Sequence, residues 1–192
     1  LVNAVIQASQ RVKTDTKLST GATSVAFAAV RYSLSHHKQP NQAKILLYGT
    51  GKIGRNTCEN LIKHAPNNHI TLINRTSEKA NQIAGKFDLT VKPLGDIAAE
   101  IRETDILIVA TGGNTYTVSE ELVHLNKPLL ILDLSVPRNV APSLENNPFV
   151  TLVHLDELSK ITDANLNERK KHIPQAEAII EEVKEEYWEW VR

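Results

Sequence analysis

The apolar residues of this chain fall into two kinds of run. Short, nearly uninterrupted ones stand at 44–48 (KILLY), 69–73 (HITLI), 105–110 (DILIVA), 129–134 (LLILDL) and 150–154 (VTLVH), with a weaker one near 89–92. Runs of that kind suit strands buried on both faces of a parallel sheet. Between them lie segments whose apolar positions recur at helical spacing, at 52–65, Ser77 to Phe87, near 95–103 and Ser119 to Leu125. Strands alternating with helices predict an α/β fold with a doubly wound parallel sheet.

The flanks read as helices. Residues 1–12 place Val2, Val5, Ile6 and Val12 on one side, Lys13 to Gly21 (KTDTKLSTG) is polar and loop-like, and Ala22 to Ser35 is a helix of small and apolar residues. A connector, His36 to Gln42, leads to the first strand. From Asp156 onward the pattern is helical again, with Ala176, Ile179, Ile180, Val183, Tyr187, Trp190 and Val191 on one stripe. That stripe either docks on its own domain, pairs with another chain, or belongs to a solitary surface helix. Pro174 predicts a kink or a fresh helix start near 171–174, because a proline inside a helix costs about 3 kcal/mol.

The first strand runs into Gly49-Thr50-Gly51-Lys52-Ile53-Gly54, and a helix follows. In the order strand, glycine loop, helix, a GxGxxG motif cradles a pyrophosphate on the helix N-terminus. Gly49 allows the tight turn, Gly51 admits the phosphates close to the backbone, and Gly54 lets helix and strand pack closely. The second strand ends in Asn74, Arg75 and Thr76, where an NAD-type site commonly has a carboxylate on the ribose hydroxyl. Arg75 offers a planar fork to a 2′-phosphate, with Asn74, Thr76 and Lys79 as further donors, so NADPH fits better than NADH. Thr111, Gly112 and Gly113 end the strand at 105–110 on the same carboxyl edge and are candidates for the ribose and pyrophosphate on the nicotinamide side. The plainer alternatives are a solvated arginine and an ordinary glycine turn.

Composition narrows the remaining choices. Lys and Arg total 22 and Asp and Glu 22, so net charge gives no sign of a general polyanion-binding surface. The single cysteine, Cys58, rules out a disulfide framework and a cysteine-rich zinc site. It lies in the helix after the glycine loop, where packing between helix and sheet is a better account than nucleophilic chemistry. The seven histidines show no ligand spacing, so neither a metal nor a general base is expected from them. Asp133, after an apolar strand, suits a buried hydrogen-bonded carboxylate, and Ser135 to Arg138 (SVPR) suit a lining role beside the crevice or a proline-stiffened loop. No apolar run approaches the roughly 20 residues that span a bilayer, and residues 1–16 lack a signal-peptide pattern, so a reducing cytoplasmic setting is expected. The chain opens at Leu1, contains no methionine and stops inside a helical pattern, as expected of a middle piece of a longer protein.

Taken together, these segments resemble the central part of the glutamyl-tRNA reductase family. "QRVKTDTKLSTGATSVAFAAV" is similar to the segment leading into that family's nucleotide domain, with Asp15 where Glu is usual; "LLYGTGKIGRN" and "INRTSEKA" resemble its NADPH site. "ILDLSVPRNVAP" resembles its most specific signature, and residues 152–190 resemble the approach to its long connecting helix, in which Pro174 is unusual. The resemblance implies an NADPH-dependent oxidoreductase that makes glutamate 1-semialdehyde from glutamyl-tRNA, the first committed step of tetrapyrrole synthesis. It implies a cysteine in a preceding domain that forms a glutamyl thioester, a hydride from NADPH that reduces it, a C-terminal helical domain that makes a homodimer, and transfer of product to glutamate-1-semialdehyde aminomutase. It also implies a division of this chain into 1–21, the end of the catalytic domain and its linker; 22–155, the Rossmann-like NADP-binding domain; and 156–192, the start of the connecting helix. No catalytic residue is then expected in this chain, and tRNA is expected to be held mainly by the other domains. Two alternatives stand beside this: a shikimate-dehydrogenase-like NADP oxidoreductase, against which the stretch from Asp133 to Val140 argues, and a nucleotide-binding regulatory module without chemistry.

Overall fold

Six strands form one sheet in the computed structural model, which describes residues 1–18, 24–65, 69–87 and 89–191. They are β1 (Ile45–Tyr48), β2 (Ile70–Ile73), β3 (Thr90–Lys92), β4 (Ile106–Val109), β5 (Leu129–Asp133) and β6 (Val150–His154), in the spatial order β3-β2-β1-β4-β5-β6. Every pairing is parallel, and Ile45 lies opposite both Ile70 and Ile106. This is the α/β Rossmann-like arrangement, with its reversal of strand order between β1 and β4.

The sheet is buried on both faces, which explains its unbroken apolar runs. Ile45, Leu47, Leu72, Ile106, Ile108 and Leu132 point to one side. There they pack on α2 (Val25–Ser35), α3 (Lys52–His64) and α4 (Ser77–Phe87) through Val30, Cys58, Leu61, Ala80 and Ile83. Leu46, Tyr48, Ile73, Leu107, Val109 and Ile131 point to the other, with Ile97 and Ile101 of α5 (Ile97–Glu103), Val118, Val123 and Val140 of the loops, and Leu144 of a 3-10 turn. Ser24 caps α2, its hydroxyl accepting the Phe27 N–H at 3.2 Å.

Two compact units result. One runs from Ser24 to Ser159 and holds the sheet; the other joins the two ends of the chain, before Ser24 and from Lys160 onward. In the second unit α1 (Val2–Asp15) packs on α7 (Ile173–Val191), with Arg11 Nη2 2.7 Å from Glu182 Oε2 and the Gln175 side chain donating to the Asp15 carbonyl at 3.0 Å. Of the expected stripe, Ala176, Ile179 and Val183 are buried, whereas Trp190 is 81 % exposed. The helix before it, α6 (Leu155–Lys170), stops short of Pro174, which sits in the first turn of α7, where a missing N–H costs nothing. Among the described residues no helix is long and apolar enough to cross a membrane.

The structure departs from the expected elements in a few places. Ser119 to Leu125 is not a helix: its amides make only short-range bonds, Leu122 to Ser119 and Val123 to Glu120. Val118 is drawn instead into a parallel bridge with Val140. Lys13 to Asp15, expected in a loop, complete α1. The expected segment at 95–103 divides into a 3-10 turn, Leu94–Asp96, and α5. The expected helix start at Ala22, and the boundary between residues 21 and 22, lie outside the described residues.

Candidate functional site

The carboxyl ends of β1, β2 and β4 open into a cleft lined by Gly49, Thr50, Gly51, Asn74, Arg75, Thr76, Lys79, Thr111, Gly112 and Gly113, together with Tyr48, Ala110 and Thr117. The first ten are residues singled out in the sequence; the last three are not, because a strand-end tyrosine, an alanine and a loop threonine carry no motif. Lys52, Ile53 and Gly54 do not line the cleft. Lys52 is exposed at the start of α3, Ile53 packs against the core, and Gly54 is buried.

The three loop glycines do three different things. Gly49 sits at φ +103° and donates to the Ile73 carbonyl at 2.8 Å; a Cβ there would strike the Ala110 carbonyl. A Cβ on Gly54 would fall on the Gly49 carbonyl oxygen, so this glycine serves the contact of helix and loop. A Cβ on Gly51 would meet nothing within 4 Å: it would project into open space. Gly51 is also the N-cap of α3, and among the described residues no side chain caps the helix, whose first amides have no acceptor within the helix itself.

Asn74 bridges two parts of the wall. Its Oδ1 accepts the Thr50 N–H at 3.2 Å and its Nδ2 donates to the Thr76 carbonyl at 2.8 Å. Both ends of the amide thus tie the turn together, with one of the two Nδ2 protons engaged. Among the described residues the buried Thr50 hydroxyl has no hydrogen-bond partner. Arg75 and Lys79 are exposed, and among the described residues neither has a carboxylate within ion-pair distance. Burial pushes the Tyr48 phenol up, while the Arg75 charge and the Thr117 hydroxyl pull the other way.

The β4 side is built from buried polar groups. Asp133 is 1 % exposed and accepts the backbone N–H of Ser135 at 3.0 Å on one oxygen, and those of Asn139 and Val140 at 2.9 and 3.0 Å on the other. The buried, hydrogen-bonded carboxylate expected there is present. His154 lies beside it, Nδ1 3.9 Å from Asp133 Oδ2 and Nε2 3.3 Å from Glu145 Oε1. Ser135 to Arg138 do not line the cleft; Val136 and Arg138 are exposed and the Val136–Pro137 bond is cis. The next residue, Asn139, reaches toward the cleft instead, accepting the Thr111 hydroxyl at 2.6 Å. Cys58 is fully buried, and burial, aided by Glu59, pushes its thiol up to about 11, as suits a packing residue and not a nucleophile.

Residues 32–161, which contain the entire cleft, match the family described as shikimate / quinate 5-dehydrogenase. The chain belongs to this family. Over its whole length it is also 59 % identical, across 191 residues, to the glutamyl-tRNA reductase of Christiangramia forsetii, covering 100 % of this chain and 46 % of that protein. Among solved structures it is similar to glutamyl-tRNA reductase from Methanopyrus kandleri, with TM-score 0.85 and 26 % identity over 96 % of this chain and 49 % of that one. The nucleotide-binding domain of the Thermoplasma volcanium glutamyl-tRNA reductase shares the fold, with TM-score 0.61 and 22 % identity over 78 % of this chain and 99 % of that one. The chain spans about half the length of the curated relatives it matches. The shikimate / quinate 5-dehydrogenase match thus covers most of the Rossmann-like unit, and the likeness to glutamyl-tRNA reductases extends beyond it into both flanks, as the sequence segments had suggested.

Proposed function

We propose that this chain is the NADPH-binding section of a glutamyl-tRNA reductase, which reduces an enzyme-bound glutamyl thioester to glutamate 1-semialdehyde. The observation that carries the reading is the 59 % identity to such a reductase over the full chain, joined to a cleft whose residues fit a 2′-phosphorylated dinucleotide. The fit rests on the orphaned Thr50 hydroxyl, the open space at Gly51, the uncapped N-terminus of α3, and two cations without a carboxylate partner. In this reading the amides at the start of α3 and the Thr50 hydroxyl take the pyrophosphate. Arg75 grips the 2′-phosphate, with Thr76 and Lys79 beside it. Thr111 to Gly113 line the nicotinamide half.

The bound coenzyme supplies the hydride; the chain supplies position and electrostatics. The thioester cysteine belongs to a preceding domain that ends in 1–21, and 156–192 begin the connecting helix toward a dimerising domain. Glutamyl-tRNA is then gripped mainly outside this chain, the product passes to glutamate-1-semialdehyde aminomutase, and the setting is the cytoplasm. Titration of the chain with NADPH and with NADH, followed by calorimetry, tests the reading. NADPH should bind more tightly, and equal affinities would remove the phosphate-fork argument.

A further inference from the structure

Thr111 to Gly113 form a lip of the cleft that belongs to no helix or strand. We infer that Asn139, which does not itself line the cleft, is the positioning residue that fixes this lip for the nicotinamide half of the coenzyme, an inference that rests on the cofactor reading above. Asn139 is 0 % exposed and each of its polar atoms is engaged. Its Oδ1 accepts the Thr111 hydroxyl at 2.6 Å, and its Nδ2 donates to the carbonyls of Gly113 at 2.9 Å and Pro137 at 3.0 Å. Its backbone N–H donates to Asp133 at 2.9 Å, and its carbonyl accepts the amides of Thr117 at 2.8 Å and Val118 at 3.1 Å.

The backbone bonds place Asn139, and the side chain then places the lip. Asp133 anchors one end, because a buried carboxylate with three amide donors defines the course of the loop after β5. From that anchor the amide of Asn139 spans to the loop after β4. The job calls for an acceptor and a two-proton donor side by side, which only an Asn or Gln side chain supplies. In a fully buried site the extra methylene of Gln would not fit without displacement. The lip lies on the β4–β6 half of the sheet, the second mononucleotide half of this fold, whereas Arg75 and the glycine loop lie on the β1–β3 half. Asn139 therefore acts on one end of the ligand only.

That asymmetry supplies the test. The full chain, wild type and Asn139→Ala, is titrated with NADPH and with 2′,5′-ADP, which carries the adenosine end alone. Asn139→Ala should weaken NADPH about tenfold, the loss of one or two buried hydrogen bonds behind the lip, and leave 2′,5′-ADP within about twofold. Amide hydrogen exchange at Gly112 and Gly113 should speed up. An equal loss for both ligands, or no loss for either, overturns the positioning role. Wild-type chain that binds neither ligand overturns the cofactor reading itself. Should the alanine variant melt early, Asn139→Ser decides: its neutral hydroxyl is too short to span to Thr111 and Gly113 and sets no charge against the Gly113 and Pro137 carbonyls, so a loss confined to NADPH supports the role, and any unselective result overturns it.

Discussion

Across the cleft, the β1–β3 half of the sheet meets solvent with backbone amides, a glycine without neighbours at its Cβ position, and two exposed cations, while the β4–β6 half meets it with a lip held from behind by buried Asp133 and Asn139. The first half is open where a ligand would lie; its affinity is stored in groups that await a partner. In the second, the Asp133 carboxylate and the Asn139 side chain are satisfied before any ligand arrives, and their contribution is shape. One half therefore answers to substitution at the surface, and the other to substitution at residues no ligand touches.

The largest effect expected is on the second half. Asp133→Ala leaves the amides of Ser135, Asn139 and Val140 buried and unpaired, and should lower stability by about 3 kcal/mol or more, read from urea denaturation. A loss below about 1 kcal/mol would mean that the loop keeps its course without the carboxylate. On the first half, Arg75→Ala should weaken NADPH by about tenfold to a hundredfold and leave NADH and the melting temperature alone, because only a charge-assisted contact to ligand is removed. A parallel loss for NADH would place Arg75 away from the 2′-phosphate.

The glycines sharpen the contrast within one loop. Gly54→Ala should destabilise the fold by about 1–3 kcal/mol, since its Cβ falls on the Gly49 carbonyl, whereas Gly51→Ala, at an ordinary φ of −67°, should change stability by less than about 0.5 kcal/mol and still reduce coenzyme affinity. Equal melting temperatures for the two variants would contradict the geometry. The smallest effect is on pH dependence. The Cys58 thiol keeps its proton in the folded chain up to about pH 11, while the unfolded chain loses it near the ordinary value of 9.0, so stability should fall as pH rises through that window. Cys58→Ala should make the fall shallower in melts taken across the window; an unchanged slope would assign it to other groups.

How much of this the sequence disclosed follows the same division. The strand at 45–48, its glycines and α3 are consecutive, so their chemistry is written in one short window. Arg75 follows β2 directly and is read from its position. The β4–β6 wall is assembled from Thr111, Thr117, Asp133 and Asn139, which share no spacing motif and meet only because the sheet brings β4 and β5 together. The burial of Asp133 was legible from its place after an apolar strand, but the direction in which Asn139 points depends on a loop. Ser119 to Leu125 misled for a related reason: Leu122, Val123 and Leu125 pack on the sheet's core from a turn, not from a helical repeat. The backbone bonds of Asn74 were also concealed, since residue type alone does not tell which backbone groups an amide meets.

That last detail bears on any attempt to redesign coenzyme preference. Under the proposed cofactor reading, Asn74 couples the segment that would underlie the phosphates to the turn that would discriminate between the two nicotinamide coenzymes, through Thr50 on one side and Thr76 on the other. Installing an aspartate at 74, as a recipe for NADH use would advise, would keep an acceptor for the Thr50 N–H but set a carboxylate oxygen against the Thr76 carbonyl and loosen that turn. A selectivity switch in this scaffold belongs one position later, at Arg75, where the side chain is free to be exchanged without moving what lies beneath it.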